Sequence, residues 1–332
     1  MKVFPYRWFY PDFPIQLEKE FKTLTHGQPS DEISLFNNLR STFERLTKDF
    51  TIDVLHGSSH QVTFKSKYPW APIKKPARCE LCDLMVVTFR TNPLRIRLTF
   101  LQNKADKIIG NLPLTFSADM LQWELLSEKP QVCGISPFNP PPNMLSEALL
   151  PSVGTFGVFY RDTNSDYNMA YAIANVLGPI KKGKSQKRKL KYIGNRGEIR
   201  TISGYNEITS TSTLAEFGHH LARMRIGTPI DGTPVGGESQ EYRVKLRKWL
   251  FNMVKERISF HDSAENIHQY SFAHSIQNDP LGISVAREFV GLLSEYYHMN
   301  IDDDKQQANS NNGPSIILIK TDGEMLRGVD VS

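Results

Sequence analysis

Two apolar segments separated by a short turn constrain the fold of this chain most strongly. They span residues 81–89 and 96–104, and both are rich in Val, Ile, Leu, Thr and Phe. This composition favours β-strands, and Thr91-Asn92-Pro93 between them is typical of a turn. The sequence therefore predicts a β-hairpin with largely buried strands.

Three polar residues interrupt the apolar segments at one end of the predicted hairpin. Side chains alternate across a strand, so Gln102 and Lys104 share a face, and Asp83 can meet them if the register is suitable. Burying a carboxylate, an amide and an ammonium is costly without partners or a metal. These residues therefore form a candidate functional site. The alternative is an ordinary polar strand end, with Asp83 capping its strand.

The spacing of these residues resembles the active-site motif of the PD-(D/E)xK nuclease superfamily. Asp83 occupies the place of the Asp, and Gln102-Asn103-Lys104 is similar to the Gln-x-Lys variant of Mrr-like restriction enzymes and some phage-defence nucleases. The resemblance implies an α/β fold with a restriction-endonuclease-like mixed sheet flanked by helices. It covers roughly the first half of the chain, and we predict a nuclease core over residues 1–165.

The flanking segments follow the superfamily order of helix, strands, helix and strand. Ser30-Asp31 supplies a helix N-cap, and apolar residues follow at steps of three and four. This apolar face consists of Ile33, Phe36, Leu39, Phe43, Leu46 and Phe50. Further along, residues 117–126 have helical spacing and residues 153–160 have the composition of a strand.

The resemblance implies metal-dependent hydrolysis of DNA phosphodiesters, with Mg²⁺ as cofactor and Mn²⁺ as a substitute. The predicted catalytic residues are Asp83, Gln102, Lys104 and Glu32, and all of them except Lys104 are predicted metal ligands, joined by a backbone carbonyl near Asn103. Lys104 would face the attacking water and the scissile phosphate, where it either orients the nucleophile or stabilises the transition state.

Two other glutamates compete for the place of Glu32. Glu44 lies later in the same predicted helix and is the alternative. Glu80 ranks below Glu32 because it lies an odd number of residues from Asp83, and a regular strand would turn it to the other face.

A basic run provides a candidate DNA contact. It consists of Lys181, Lys182, Lys184, Lys187, Arg188, Lys189 and Lys191. With Gly183 and Ser185 it is predicted to form a flexible exposed loop that follows phosphates without reading bases. A merely solvated loop is the alternative, and the net charge of +5 does not decide between them.

The composition sets wider limits on location and partners. In the 332 residues, 39% apolar, no continuous apolar run is long enough to span a bilayer, and the first residues lack an apolar signal core, so we expect a cytoplasmic protein without a membrane partner. Cys79, Cys82 and Cys133 are too few for a disulfide framework and are expected to be reduced thiols. We expect any ATP-dependent action to come from a partner subunit.

Residues 166–332 are predicted to form a mixed, mostly helical region that positions substrate or partners. Helical segments are expected at residues 212–225, 241–258 and 284–298, with a loop at 227–237 and a strand at 315–320. The second helix combines an apolar stripe with Arg243, Lys245, Arg247 and Lys248, and we interpret it as a packed helix with a solvated basic face.

The function expected from the resemblance is that of the nuclease effector of a prokaryotic antiphage defence or restriction system. DNA is the expected partner, an ATPase or sensor subunit is a further one, and the protein can be an oligomer. The competing hypothesis is a noncatalytic subunit with a decayed nuclease fold that binds nucleic acid or scaffolds a complex.

Overall fold

The structure, a computed structural model, describes ten ranges of the chain. They are residues 13–28, 31–47, 50–57, 60–70, 75–109, 115–180, 185–232, 239–268, 283–299 and 313–321. The α-helices in these ranges are α1 (Phe13–Thr25), α2 (Glu32–Leu46), α3 (Met120–Glu128), α4 (Leu214–Ala222), α5 (Gln240–His268) and α6 (Ser284–Tyr297).

Sixteen strands are present in the same ranges. They are β1 (Ile52–Leu55), β2 (Gln61–Phe64), β3 (Ala77–Glu80), β4 (Leu84–Thr91), β5 (Leu94–Ile109), β6 (Thr115–Asp119), β7 (Val132–Gly134), β8 (Gly154–Arg161), β9 (Tyr167–Ile173), β10 (Leu177–Pro179), β11 (Lys187–Tyr192), β12 (Ile199–Ile202), β13 (Tyr205–Ile208), β14 (Ser210–Thr211), β15 (Thr228–Pro229) and β16 (Ser315–Lys320).

The central sheet has the strand order β1-β16-β4-β5-β8-β9-β14, and β15 pairs with β5. The predicted hairpin is confirmed, because β4 and β5 pair antiparallel from Leu84↔Leu101 to Thr91↔Leu94. β8 runs parallel to β5, and β16 runs parallel to β4. The sheet is therefore mixed, and the fold is α/β with the predicted order of helix, hairpin, helix and strand.

Helices cover both faces of this sheet. Phe156 and Phe159 of β8 point to opposite faces because they lie three residues apart. Phe159 stacks on Phe21 of α1, whereas Phe156 packs against Phe116 of β6. α1 contacts α2 and α4 on its side, while α3 contacts β8 and β6, and α6 contacts β16 on the opposite side.

The buried face of α2 shares Leu39, Phe43 and Leu46 with the predicted one, whereas Phe36 is only half-buried and Phe50 lies beyond the end of the helix. Ile33 is 73% exposed, and the buried residues are Leu35, Leu39, Thr42, Phe43 and Leu46. The positions 35, 39, 42 and 46 follow the helical period, whereas Ile33 lies about 200° around the axis from Leu35. The predicted N-cap is confirmed at Asp31, whose carboxylate accepts from the Ser34 N–H at 2.9 Å.

The helix predicted at residues 117–126 begins later, at Met120. Ser117 and Ala118 instead pair with β11 as part of β6. Asp119 caps the helix by accepting from the Leu121 N–H at 2.8 Å. Sheet pairing with a distant strand thus overrides the local helical spacing.

Strands from both halves of the chain build the central sheet. The predicted boundary near residue 165 falls between β8 and β9, which are hydrogen-bonded neighbours. The strand predicted at residues 315–320 is confirmed as β16, and it lies between β1 and β4. Within the described ranges, no helix combines the length and apolar character needed to cross a membrane.

Candidate active site

Asp83 and Gln102 meet at the open end of the β4–β5 hairpin. Asp83 directly precedes β4, and its N–H donates to the Leu101 carbonyl at 3.0 Å. Its Oδ2 accepts from Gln102 Nε2 and from the Asn103 N–H, both at 2.6 Å. The hairpin register therefore brings together the two residues that the sequence separates by nineteen positions.

Lys104 and Glu32 complete this group from two different elements. Lys104, at the position of β5 that shares a face with Gln102, is buried, and its Nζ donates to Glu32 Oε1 at 2.8 Å. Glu32 is the first residue of α2, and its side chain is 44% exposed. The N-cap at Asp31 fixes where α2 begins, and so it places Glu32 opposite the strand. The structure thus gathers all four predicted catalytic residues, whose roles stay predictions.

The two competing glutamates lie elsewhere. Glu44 follows Glu32 by twelve helical residues, about 18 Å along the axis. Its Oε1 lies 3.6 Å from Arg40 Nε and 3.4 Å from His56 Nε2. Glu80 is exposed in β3, which belongs to a separate sheet with β2 and β7. Glu32 is therefore the glutamate that the fold places beside Lys104.

Burial dominates the electrostatics of Asp83. It raises the pKa of the Asp83 carboxyl above its ordinary value, and the nearby Lys104 ammonium and the two hydrogen bonds offset part of the effect. A carboxylate held this way binds a proton more readily than an exposed one. A cation that needs the ionised form would therefore compete with a proton here.

Two neighbouring amide side chains have unused hydrogen-bonding atoms. Gln102 Oε1 is buried and has no hydrogen-bond partner in the described ranges. Asn103 lies on the other face of β5, fully buried, and neither of its side-chain amide atoms has a partner among the described residues. A Cβ at Gly157 would stand 2.8 Å from Asn103 Oδ1, so the glycine leaves room for this amide. A buried polar atom without a partner costs free energy. Gln102 Oε1 is such an atom, and its side chain contacts the Asp83 carboxylate.

The ligand types at this site fit a hard cation. Asp83, Gln102 and Glu32 supply two carboxylates and one amide oxygen, which is the oxygen chemistry that Mg²⁺ prefers. No cluster of three or more His, Cys, Asp or Glu side chains arranged for a metal occurs in the part of the chain that the structure describes. The fit to Mg²⁺ therefore depends on Gln102 contributing its free oxygen.

The predicted basic loop is a strand over its described part. Lys187, Arg188, Lys189 and Lys191 lie in β11, which pairs with β6 and β10. The prediction of a flexible loop is wrong here, because Leu190 is fully buried and alternates with exposed lysines in the two-residue period of a strand. Lys181, Lys182 and Lys184 lie outside the described residues.

The exposed face of β11 presents Lys187, Lys189 and Lys191, which we call the lysine face. Arg188 points to the opposite side, where its guanidinium lies 5.8 Å from the Trp70 ring centre. β6, the partner of β11, contacts β5, the strand that carries Gln102 and Lys104.

The prediction of a fully solvated basic face on the helix at residues 241–258 is wrong at two positions. Arg243 is fully buried and Arg247 is 5% exposed. Arg243 donates to the Asp231 carbonyl, and Arg247 donates to the Ile230 carbonyl at 2.8 Å. These arginines of α5 therefore hold a neighbouring loop.

Five arginines at the turn end of the hairpin were not predicted as functional. Three of them, Arg90, Arg95 and Arg97, flank the predicted turn within eight residues. That concentration of like charge around a turn was a usable signal. No sequence signal indicated that Arg223 and Arg225 lie beside these three arginines, because more than a hundred residues separate the two groups.

Comparisons with known proteins identify no relative. No protein-family model matches the chain, and no curated protein and no solved structure matches it either.

Proposed function

We propose that this protein is a metal-dependent endodeoxyribonuclease of the cytoplasm. The observation that carries the proposal is the convergence of Asp83, Gln102, Lys104 and Glu32 at one end of the hairpin, with β8 parallel to β5. Mg²⁺, when bound, would offset the negative charge that develops on the phosphate oxygens during hydrolysis.

The site residues have separate roles in this proposal. Asp83, Gln102 and Glu32 would hold the cation through oxygen atoms. Lys104 lies on an ordered strand and is almost buried, so its ammonium is held in place for charge on the scissile phosphate or for the attacking water. In the same proposal the lysine face follows the DNA backbone, and a defence or restriction complex with an ATPase or sensor subunit is the setting.

One observation favours the competing hypothesis of a noncatalytic nucleic-acid-binding or scaffolding subunit. Asp83 Oδ2 is already occupied by two donors, and Lys104 is already paired with Glu32. Side chains that are already hydrogen-bonded to one another in this way can also belong to a decayed site. The two hypotheses differ in whether Mg²⁺ binds and in whether DNA is cut.

Plasmid nicking with Mg²⁺ separates them. Wild-type protein should cut, and Asp83→Ala and Lys104→Ala should each lose about 10²-fold or more in rate. Glu80→Gln removes an exposed carboxylate outside the site and should cut normally. Thermal unfolding of each variant shows whether the fold persists. A folded Asp83→Ala protein with full activity would overturn the assigned site, and an uncut plasmid with normal DNA binding by the wild type would favour the noncatalytic subunit.

A further inference from the structure

A second polar site lies at the turn end of the same hairpin. Arg90 of β4 and Arg95 of β5 face each other directly across the strands, and Arg97 shares the face of Arg95 two residues on. Like charges directly opposite one another destabilise a sheet. Three arginines at one end of a hairpin therefore need a compensating anion or another source of stability.

Two further elements close a cavity around these arginines. Arg223 and Arg225 follow α4 and flank Met224, whose φ of 52° turns the chain sharply. The β12–β13 hairpin adds Tyr205 through a two-residue turn at Ser203 and Gly204, with φ of 50° and 79°. The cavity has a volume of about 660 Å³, and none of its lining residues is acidic. This volume lies in the range of small-molecule pockets.

Arg97 is the most buried of the five arginines that line the cavity. Arg97 is 7% exposed, and its guanidinium donates to the Gly227 carbonyl at 2.9 Å and to the Asn206 carbonyl at 3.3 Å. It also lies over the Tyr205 ring at 5.0 Å from the centre. These hydrogen-bond acceptors are neutral carbonyls, and the nearby buried acids Asp231 and Glu207 offset part of the charge of Arg97.

The remaining charges are only partly compensated. Asp231 is buried and pairs with Arg95 at 3.3 Å, and the charges of Asp231 and Glu207 also act on Arg97. Arg90 Nε is buried and has no hydrogen-bond partner among the described residues. Burial lowers the pKa of Arg225, and the adjacent Arg223 lowers it further. The cavity therefore gathers the guanidinium groups of five arginines, and no acidic residue lines it.

We infer that this cavity, which we call the arginine pocket, binds a small ligand with two or more phosphate groups. Guanidinium groups donate in a fixed fork that matches phosphate oxygens, and several forks around one concave site suit a polyphosphate better than a single anion. A nucleoside di- or triphosphate and an inorganic polyphosphate share this chemistry.

The shape of the pocket favours such a ligand over DNA. Arg97 lies at depth, where the backbone of a duplex would not reach it, and Arg90 lies seven residues from Asp83 along the chain. At about 3.3 Å per residue this is roughly 23 Å from the proposed cleavage site. The inference does not rest on the nuclease proposal, since the ligand chemistry follows from the arginines alone.

Isothermal titration calorimetry tests the inference with ATP, AMP, adenosine and sodium tripolyphosphate. ATP and tripolyphosphate should bind, AMP should bind at least roughly tenfold more weakly than ATP, and adenosine should not bind. Arg90→Gln and Arg225→Gln should each weaken ATP binding roughly tenfold. A preference for ATP over tripolyphosphate would identify the nucleotide as the source, and equal affinity would identify the phosphate chain; both support the pocket.

The matched control is Arg45→Gln, which removes an exposed arginine that pairs with Glu20 at 3.6 Å. It should leave ATP binding unchanged. No binding of ATP and tripolyphosphate, or an equal loss in the control, would overturn the inference. So would a loss of duplex DNA affinity in Arg90→Gln and Arg225→Gln without any binding of small phosphates, because that result assigns the arginines to DNA.

Discussion

The two ends of the β4–β5 hairpin handle charge in opposite ways. At the open end, Asp83 accepts two hydrogen bonds and Lys104 pairs with Glu32, so the charged groups compensate one another. At the turn end, Arg90 and Arg95 face each other and line a cavity without acidic residues. The first end pairs its charged groups within the protein, whereas the second brings together like charges that an anion would relieve.

The supports of the two ends differ as well. The open end depends on where α2 begins, since Glu32 is its first residue. The turn end depends on α5, because Arg243 and Arg247 hold the carbonyls of Asp231 and Ile230, next to β15 on the edge of β5. An exposed helix start can be altered with little cost, whereas a loop tied down by buried arginines cannot.

The largest predicted effect tests whether the turn end carries part of the fold. Arg97→Ala should lower the free energy of unfolding by about 3 kcal/mol, because the buried Gly227 carbonyl, the Asn206 carbonyl and the Tyr205 ring lose their partner. Arg95→Ala, which removes a 44% exposed side chain, should cost about 1 kcal/mol. Urea unfolding measures both. Equal losses of stability would mean that the buried Arg97 contributes no more to the fold than the partly exposed Arg95.

The next prediction tests whether the lysine face contacts DNA. Replacing Lys187, Lys189 and Lys191 together by Gln should weaken DNA binding roughly a hundredfold at low salt and reduce the salt slope by about three, because each phosphate contact contributes about 0.9. Turnover at saturating DNA should survive. Lys245→Gln on α5 is the control, with an exposed side chain paired to Glu241. Unchanged affinity in the triple variant would show that the lysine face is only solvated surface.

A smaller effect on cleavage is predicted for Glu32 at the open end of the hairpin. Glu32→Gln should slow Mg²⁺-dependent cleavage about tenfold and raise the Mg²⁺ concentration needed, because a ligand charge is lost and the ion pair with Lys104 becomes a hydrogen bond to a neutral amide. Glu44→Gln should change the rate less than about twofold. Nicking rates across a Mg²⁺ titration compare the two. The reverse ranking would transfer the role to Glu44.

The smallest effect concerns stability at the open end. The raised pKa of Asp83 means that the folded state binds a proton more tightly than the unfolded chain, whose value is near 3.8. Wild-type stability therefore loses a contribution as the pH rises from about 4 through the folded pKa. Asp83→Asn removes this loss, and Gln102 Oε1 can accept from the new amide.

This variant should equal the wild type at pH 4 and exceed it by about 1 kcal/mol at pH 8, as found when a functional charge is removed. Urea unfolding at both pH values measures the difference. A variant that is much less stable at pH 8 would mean that Asp83 holds the fold rather than a functional site.

Local patterns predicted the elements that bury one face. The hairpin, β8, β16 and the five predicted helices all occur, because alternation and helical period follow directly from burial, although α3 begins later than predicted and α5 continues to His268. The errors are also local in origin. Ile33 and Leu35 lie in the same turn of α2 on different faces, and only the packing of the helix in the fold determines that the face of Leu35 is buried.

By itself the sequence determined that Asp83, Gln102 and Lys104 lie at one end of a buried hairpin, because strand alternation and a single turn fix that geometry. The tertiary structure decided the rest. It placed Glu32 rather than Glu44 beside Lys104, made residues 187–191 of the basic run part of β11, the middle strand of a three-stranded sheet, and brought Arg223 and Arg225 to the hairpin arginines. Each of these depends on contacts between residues far apart in the chain, and such contacts are set by how whole helices and sheets pack rather than by any local pattern.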